Sequence, residues 1–289
     1  GQFMLDPHGS ERKTTGSYYT NPDLIAELIK SALDPVIADR LSCAGPDPAA
    51  REKALLSIRV CDPACGSGAF LIAASNRLGR EVAKIRAGTE LPSAAEVQAA
   101  RRDVLSHCIY GVDLNPMAVE LAKVSLWINA LVGDKPLSFL DHHIRCGNSL
   151  IGATPELIAG GIPDDAYTPV EGDSKDVARR IKAANKEQRQ TRTFEEFSPR
   201  STVLEACARR FAALADASED DPDSVEAKKA EYQQLITSSE YAKERLSADC
   251  WCAAFFWPLD GEHARTAPTT ATVRMVQASG GGMLVEDTL

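Results

Sequence analysis

The stretch Val60-Cys61-Asp62-Pro63-Ala64-Cys65-Gly66-Ser67-Gly68-Ala69-Phe70 constrains this chain more than any other. It reads as the end of a buried strand, a tight glycine turn and the start of a helix. Leu55, Leu56, Ile58 and Val60 supply the apolar run before the turn; Phe70, Leu71, Ile72, Ala73 and Ala74 begin the helix after it. Gly66 and Gly68 permit positive φ and let a ligand come close to the backbone. Asp62 stands at the carboxyl end of the strand, where open α/β sheets bind their ligands.

The residues around this turn extend the pattern. Thr20 or Asn21 can cap a helix that opens with Pro22 and Asp23, and Leu24, Ile25, Leu28, Ile29 and Leu33 follow at helical spacing. Residues 42–53 read as a loop or a short polar helix. The helix after the turn should run to Ile85 or Arg86 and stop at Gly88. Ser93 and Glu96 form a capping box for the next helix. Cys108 to Asp113 is a second short strand ending in an acid, Asn115-Pro116 opens another helix, and His143 to Leu150 looks like a third strand. Strands alternating with helices predict an α/β fold with a doubly wound, mostly parallel sheet. Its strand ends would bring Asp62, Asp113 and Asn148 to one edge.

Beyond Gly152 the character changes. Residues 173–192 are highly charged, and 202–215 and 224–247 have helical composition, so this part predicts a helical extension. The apolar segment from Trp251 to Leu259 is expected either to return to the sheet as a strand or to cap the core. The expected division is a core over 1–160 with a helical lead-in over 1–54, an extension over 161–247, and a return segment over 248–289.

Charge and cysteine usage narrow the function. The net charge of −9 is unusual for a chain that grips DNA by itself. Residues 1–150 are nearly neutral, with 16 Lys/Arg against 17 Asp/Glu, so the acidic excess lies in the second half. Any phosphate-binding surface is then a local patch or lies outside this chain. No apolar run approaches the roughly 18 residues of a membrane span, and the N-terminus lacks signal-peptide character. A cytoplasmic protein with no membrane partner is expected, and the opening Gly1-Gln2-Phe3-Met4 points to a natural start elsewhere. The eight cysteines have neither disulfide nor zinc spacing, so no metal site is expected.

Two ligands fit a strand, a glycine turn and a helix with an acid at the next strand end: a dinucleotide or S-adenosylmethionine. A dinucleotide site wants a third glycine three positions after Gly68, where Leu71 stands. Asp62 would repel a pyrophosphate, whereas an amino-acid ammonium with a nearby sulfonium suits a carboxylate. Asp113 can accept both ribose hydroxyls through its two oxygens.

The motifs together resemble a family. Asp62-Pro63-Ala64-Cys65-Gly66-Ser67-Gly68 is similar to the S-adenosylmethionine motif of N6-adenine DNA methyltransferases. Thr15-Gly16-Ser17-Tyr18-Tyr19-Thr20 precedes it; Tyr110-Gly111-Val112-Asp113-Leu114-Asn115-Pro116 and Cys146-Gly147-Asn148-Ser149-Leu150 follow. This is the gamma-class order of the large type IIG restriction–modification enzymes and of phage-defence relatives of the PglX (BREX) and DISARM kinds. The segment from Ala248 to Trp257 extends the likeness, which covers roughly residues 10–260.

The resemblance implies a Rossmann-like methyltransferase fold with a helical extension, S-adenosyl-L-methionine as cofactor, and double-stranded DNA as partner through parts mostly outside this chain. Defence-system subunits are further expected partners. By the same resemblance Tyr19 and Thr20 hold the methionine carboxylate end. Asp62 and the backbone at Ala64, Gly66 and Gly68 hold the methionine moiety. Asp113 binds the ribose, Leu114 lies against the adenine ring, and Asn148 stands where relatives carry an Asp that accepts from the target amino group. The family's catalytic Asn-Pro-Pro-aromatic motif is absent: the Asn-Pro pairs, Asn21-Pro22 and Asn115-Pro116, look like helix starts. No catalytic residue is therefore assigned. Truncation before that motif is the simplest account, and the chain is expected to bind cofactor without methylating. The rival readings are a non-catalytic subunit of a defence complex and an NAD-dependent oxidoreductase.

Overall fold

The computed structural model describes residues 20–133, 135–191 and 201–279. Helix α1 (Pro22–Leu28) starts where expected, with the Asn21 side chain accepting from the Asp23 N–H at 2.9 Å. It runs through a π-helical turn (Ile29–Leu33) into α2 (Asp34–Ala44). The wider turn lies just ahead of Pro35, which has no N–H for the α-helical ladder. Helix α3 (Pro48–Leu56) is capped by Asp47, whose carboxylate accepts from the Ala50 N–H.

The strand expected from Leu55 begins only at Val60. Leu55 and Leu56 complete α3, and β1 is Val60–Asp62. An apolar run does not reveal its period over so short a span, and helix packing took its first half. Next come α4 (Ala69–Ala87), ended by Gly88 in the left-handed conformation, and α5 (Ala94–Cys108) with both bonds of the Ser93–Glu96 box. Strand β2 (Ile109–Asp113), α6 (Pro116–Asn129) and β3 (Ile144–Cys146) follow.

The three strands pair in parallel in the order β1-β2-β3, with Asp62 opposite Gly111 and Asp113 opposite Cys146. Residues 109, 111 and 144 share one face, which is buried beneath Leu71, Leu78, Val119, Ala122 and Leu126 of the helices. Cys61, Tyr110, Val112 and Arg145 share the other face, where Cys61 and Arg145 are exposed. The α/β, parallel character holds. The doubly wound sheet is not established: the structure is mostly helical, with a small sheet whose second face is partly open.

The chain divides into two compact units. One takes the chain up to Ser149 together with Leu214–Ala230; the other takes Leu150–Ala213 and the chain from Glu231. The first holds the sheet. Glu219 anchors the later segment within it. Its carboxylate accepts from the Phe139 N–H and the Ser106 hydroxyl and pairs with the buried Lys228 at 2.9 Å, while Arg102 donates to its carbonyl.

The second unit has its own core of Ile158, Ile162, Tyr167, Ile181, Trp251, Leu259 and Val273. It contains α7 (Pro155–Ala159), α8 (Lys175–Gln190), α11 (Ser239–Ala253) and α12 (Thr270–Ser279). The division falls within α9 (Ser201–Asp216) and α10 (Pro222–Ile236). The helices expected from the charged and helical stretches are thus present. Trp251 ends up in α11, and Trp251 to Leu259 contributes no strand.

Candidate functional site

The site is built from the turn outward. Asp62 ends β1, and its Oδ1 accepts the Ala64 N–H at 3.0 Å, bending the chain away from the sheet. The Cys65 N–H donates to the Val112 carbonyl at 2.9 Å, and the Gly66 N–H donates to Asp113 Oδ2 at 2.8 Å. Both bonds fasten the turn to β2. The Gly68 N–H closes back on the Cys65 carbonyl at 2.8 Å. Gly66 and Gly68 have φ of 53° and 89°, the left-handed values that glycine adopts without strain.

Gly68 also caps α4, with no side chain serving the cap. The first bond of that helix runs from the Ile72 N–H to the Gly68 carbonyl, so the amides of Ala69, Phe70 and Leu71 have no partner within the helix. The positive end of a long helix therefore lies beside the turn, with Ala69 and Phe70 half-buried and Leu71 buried.

Asp113 is bonded to three neighbouring segments. Oδ2 holds Gly66, Oδ1 accepts the Asn115 N–H at 2.8 Å, and its main-chain carbonyl accepts the Gly147 N–H at 2.9 Å. Leu114 follows it with a side chain 70% exposed, and its carbonyl accepts from the Cys146 thiol. Asn148 is exposed, one residue beyond Gly147. Asp62, Ala64, Gly66, Gly68, Asp113 and Leu114 are thus gathered at one end of the sheet, with Asn148 on the adjoining loop. Thr20 is half-buried at the entry to α1, which packs on α4. Tyr19 lies outside the described residues.

Two residues central to this geometry stand within the motifs, which assign them no role at the site. Cys65 is buried beneath the turn, and burial together with Asp62 and Asp113 pushes its thiol up to about 12, so it packs and does not react. Gly111 faces it from β2: a Cβ there would lie 2.8 Å from Leu71 Cδ1 and 3.1 Å from Cys65 Sγ. A glycine inside a strand is a signal of such close approach, and it was available in Tyr110-Gly111-Val112.

The arrangement has a definite polarity. The N–H groups of Ala64, Cys65, Gly66 and Gly68 are all satisfied within the protein. What the turn offers a ligand is chiefly acceptors: two carboxylates and the turn's carbonyl oxygens. Donors come from the exposed Ser67 and from the start of α4. A zwitterionic head group matches one acceptor-rich spot beside one donor-rich spot. A pyrophosphate, which needs donors throughout, would meet Asp62.

Comparison with known proteins finds DNA methyltransferases. Residues 49–147 match the family model of the MmeI DNA-methyltransferase domain, and residues 107–246 match that of the Eco57I restriction-modification methylase. A protein of Methanocaldococcus jannaschii assigned as a type II restriction enzyme and methyltransferase is 27% identical over 178 residues, covering 49% of this chain and 15% of that protein. The adenine-specific methyltransferase PglX of Streptomyces coelicolor is 32% identical over 175 residues, covering 57% of this chain and 13% of its own length. The chain spans well under two thirds of these relatives. No solved structure matches. The resemblance to methyltransferases of the restriction–modification and PglX kinds holds, and neither the oxidoreductase nor the non-catalytic subunit is favoured.

Proposed function

We propose that this chain, whose matched segments are DNA-methyltransferase domains of the restriction–modification kind, is the donor-binding part of an adenine-N6 DNA methyltransferase and that its donor is S-adenosyl-L-methionine. The polarity of the glycine turn carries this reading. Asp62 and the carbonyls of the turn suit the donor's ammonium, and the amides of Ala69 and Phe70 at the start of α4, with Thr20 and Tyr19, suit its carboxylate. Asp113 keeps lone pairs free for a ribose diol, since a carboxylate offers about four acceptor sites and two are used within the protein. The exposed Leu114 offers an apolar surface to the adenine ring.

When bound, the donor supplies a methyl group on a positively charged sulfur. The residues of this chain hold and orient that molecule. They do not provide the Asn-Pro-Pro-aromatic groups that accept hydrogen bonds from a flipped adenine and stack on it. Asn148, on the loop after β3, can accept from the target amino group. DNA is the proposed substrate of the whole enzyme, in a restriction–modification or phage-defence system, and defence-system subunits are its proposed partners. Among the described residues no helix is long and apolar enough to cross a membrane.

Titration calorimetry with S-adenosylmethionine, S-adenosylhomocysteine and NAD tests the reading. The two adenosyl ligands are expected to bind and NAD is not. Asp62→Ala should weaken S-adenosylhomocysteine by about 1.5–3 kcal/mol, the value of a hydrogen bond to a charged group. Tritiated methyl transfer to DNA by this chain alone is expected to be absent. Binding of NAD without either adenosyl ligand would overturn the assignment.

A further inference from the structure

We propose that Asp113 is the positioning residue of the whole site, building the glycine turn before any ligand arrives. The proposal rests on the S-adenosyl reading for what the site holds, but not for how the turn is made. Three bonds carry it. The carboxylate takes the Gly66 N–H on Oδ2 and the Asn115 N–H on Oδ1, both at 2.8 Å, and the Asp113 carbonyl takes the Gly147 N–H at 2.9 Å. One residue therefore ties together the turn after β1, the start of α6 and the loop after β3 that leads to Asn148.

The Gly66 bond spans 47 positions of sequence, so nothing local to the turn replaces it. Gly66 stands at φ 53°, and a Cβ built on it meets nothing within 4 Å. Packing against a side chain of its own is not what holds that position, and the Cys65 thiol reaches only its carbonyl, at 3.7 Å. The hold comes from Asp113 on one side and the Cys65–Val112 bond on the other.

This arrangement discriminates between carboxylate and amide. A ribose ligand needs acceptors, and the single amide oxygen of an Asn could still serve one hydroxyl. The latch needs two acceptors at once. In Asp113→Asn the side-chain NH2 would point at either the Gly66 or the Asn115 N–H, donor against donor. The isosteric change should therefore loosen the turn itself. Ribose recognition and the seat of the amino-acid end then act as one coupled unit.

The test is amide exchange at Gly66 in the full chain without ligand, read by NMR. In the wild type this amide should be strongly protected, although it lies in a surface turn. Asp113→Asn should speed its exchange by about ten- to a hundredfold, the equivalent of a charge-assisted bond, and weaken S-adenosylhomocysteine by a similar factor. Val82→Ala, a core change in α4, should lower Tm while leaving that affinity unaltered. An unprotected Gly66 amide in the wild type would overturn the latch even if Asp113→Asn failed to fold. So would a Gly66 amide indifferent to the substitution. If Gly66 is protected and responds while no adenosyl ligand binds, the latch stands and the donor assignment falls.

Discussion

Gly111 shows how closely the residues of this site are fitted. It lies in mid-strand with Leu71 and Cys65 pressed against the place where a side chain would begin. Gly111→Ala should cost about 1–3 kcal/mol, the usual price of overpacking a tight interior. Because Cys65 must move, the turn moves with it, and S-adenosylhomocysteine should bind more weakly. Urea unfolding measures the first effect and calorimetry the second. Adding Cys65→Ala to Gly111→Ala should recover part of both, and a double variant no better than the single one would show that the strain lies elsewhere. The sequence exposes these residues unequally. Gly66, Gly68 and Asp62 are legible because a strand, a glycine turn and an acid form a local pattern. Gly111 and Cys65 are constrained by neighbours far away in the chain, and no window around either residue contains the other.

At the scale of the element, the helix starts were the most legible feature. Asn21, Ser93 and Asn115 each accept a backbone N–H at the start of their helices, because capping is a contact over two or three residues. The start of β1 was not legible, since four apolar residues suit a helix end as well as a strand. Helix α6 adds a pattern that periodicity shows only in part. Ala118, Val119, Ala122 and Leu126 are buried, while Met117, Leu121, Val124 and Ile128 on the opposite side are exposed. Both sides are apolar, but only one contributes to this unit's core. Leu126→Ala should therefore cost about 2–5 kcal/mol, and Ile128→Lys should stay within about 0.5 kcal/mol of the wild type. Denaturant midpoints of the two variants check the contrast. An equal loss in both would mean that the outer side is covered in solution.

At the scale of the molecule, the first unit is completed by a segment that the sequence placed in a separate extension. Leu214–Ala230 belongs with the sheet, held by Glu219. Nothing local announces this, because an acid within a charged stretch looks like a solvated one until its partners Ser106, Phe139 and Lys228 are known. The same neighbourhood makes the unit sensitive to acid. His143 is buried, stacks on Tyr110 at 4.3 Å and shares a hydrogen bond with the Ile109 carbonyl. His142 packs against it edge-on and stacks on Phe139.

Burial is the main cause that lowers both rings, His143 to about 4 and His142 to about 2; Lys228 lowers both further, Arg145 acts on His142 and Arg59 on His143, while the Ile109 carbonyl and Glu219 oppose the shift of His143. An unfolded chain protonates these rings near 6.5 and the folded one does not. Each ring therefore leaves stability intact above 6.5 and removes it as pH falls below, down to the folded value. The slope is about 1.4 kcal/mol per pH unit for each ring, so about 4 kcal/mol should be lost between pH 7.5 and 5. Glu219, whose carboxyl is held low by Lys228 and the Phe139 N–H against the opposing effect of burial, adds a loss in the same direction only below its unfolded value near 4.5. Stabilities between 5 and 15 kcal/mol are usual, so the loss is a large share of what such a unit has. Urea unfolding at successive pH values should show this decline, and His142→Leu should roughly halve its slope above pH 5. A stability that stays level from pH 7.5 to 5 would mean that the rings are hydrated, and that the segment around Glu219 does not seal them.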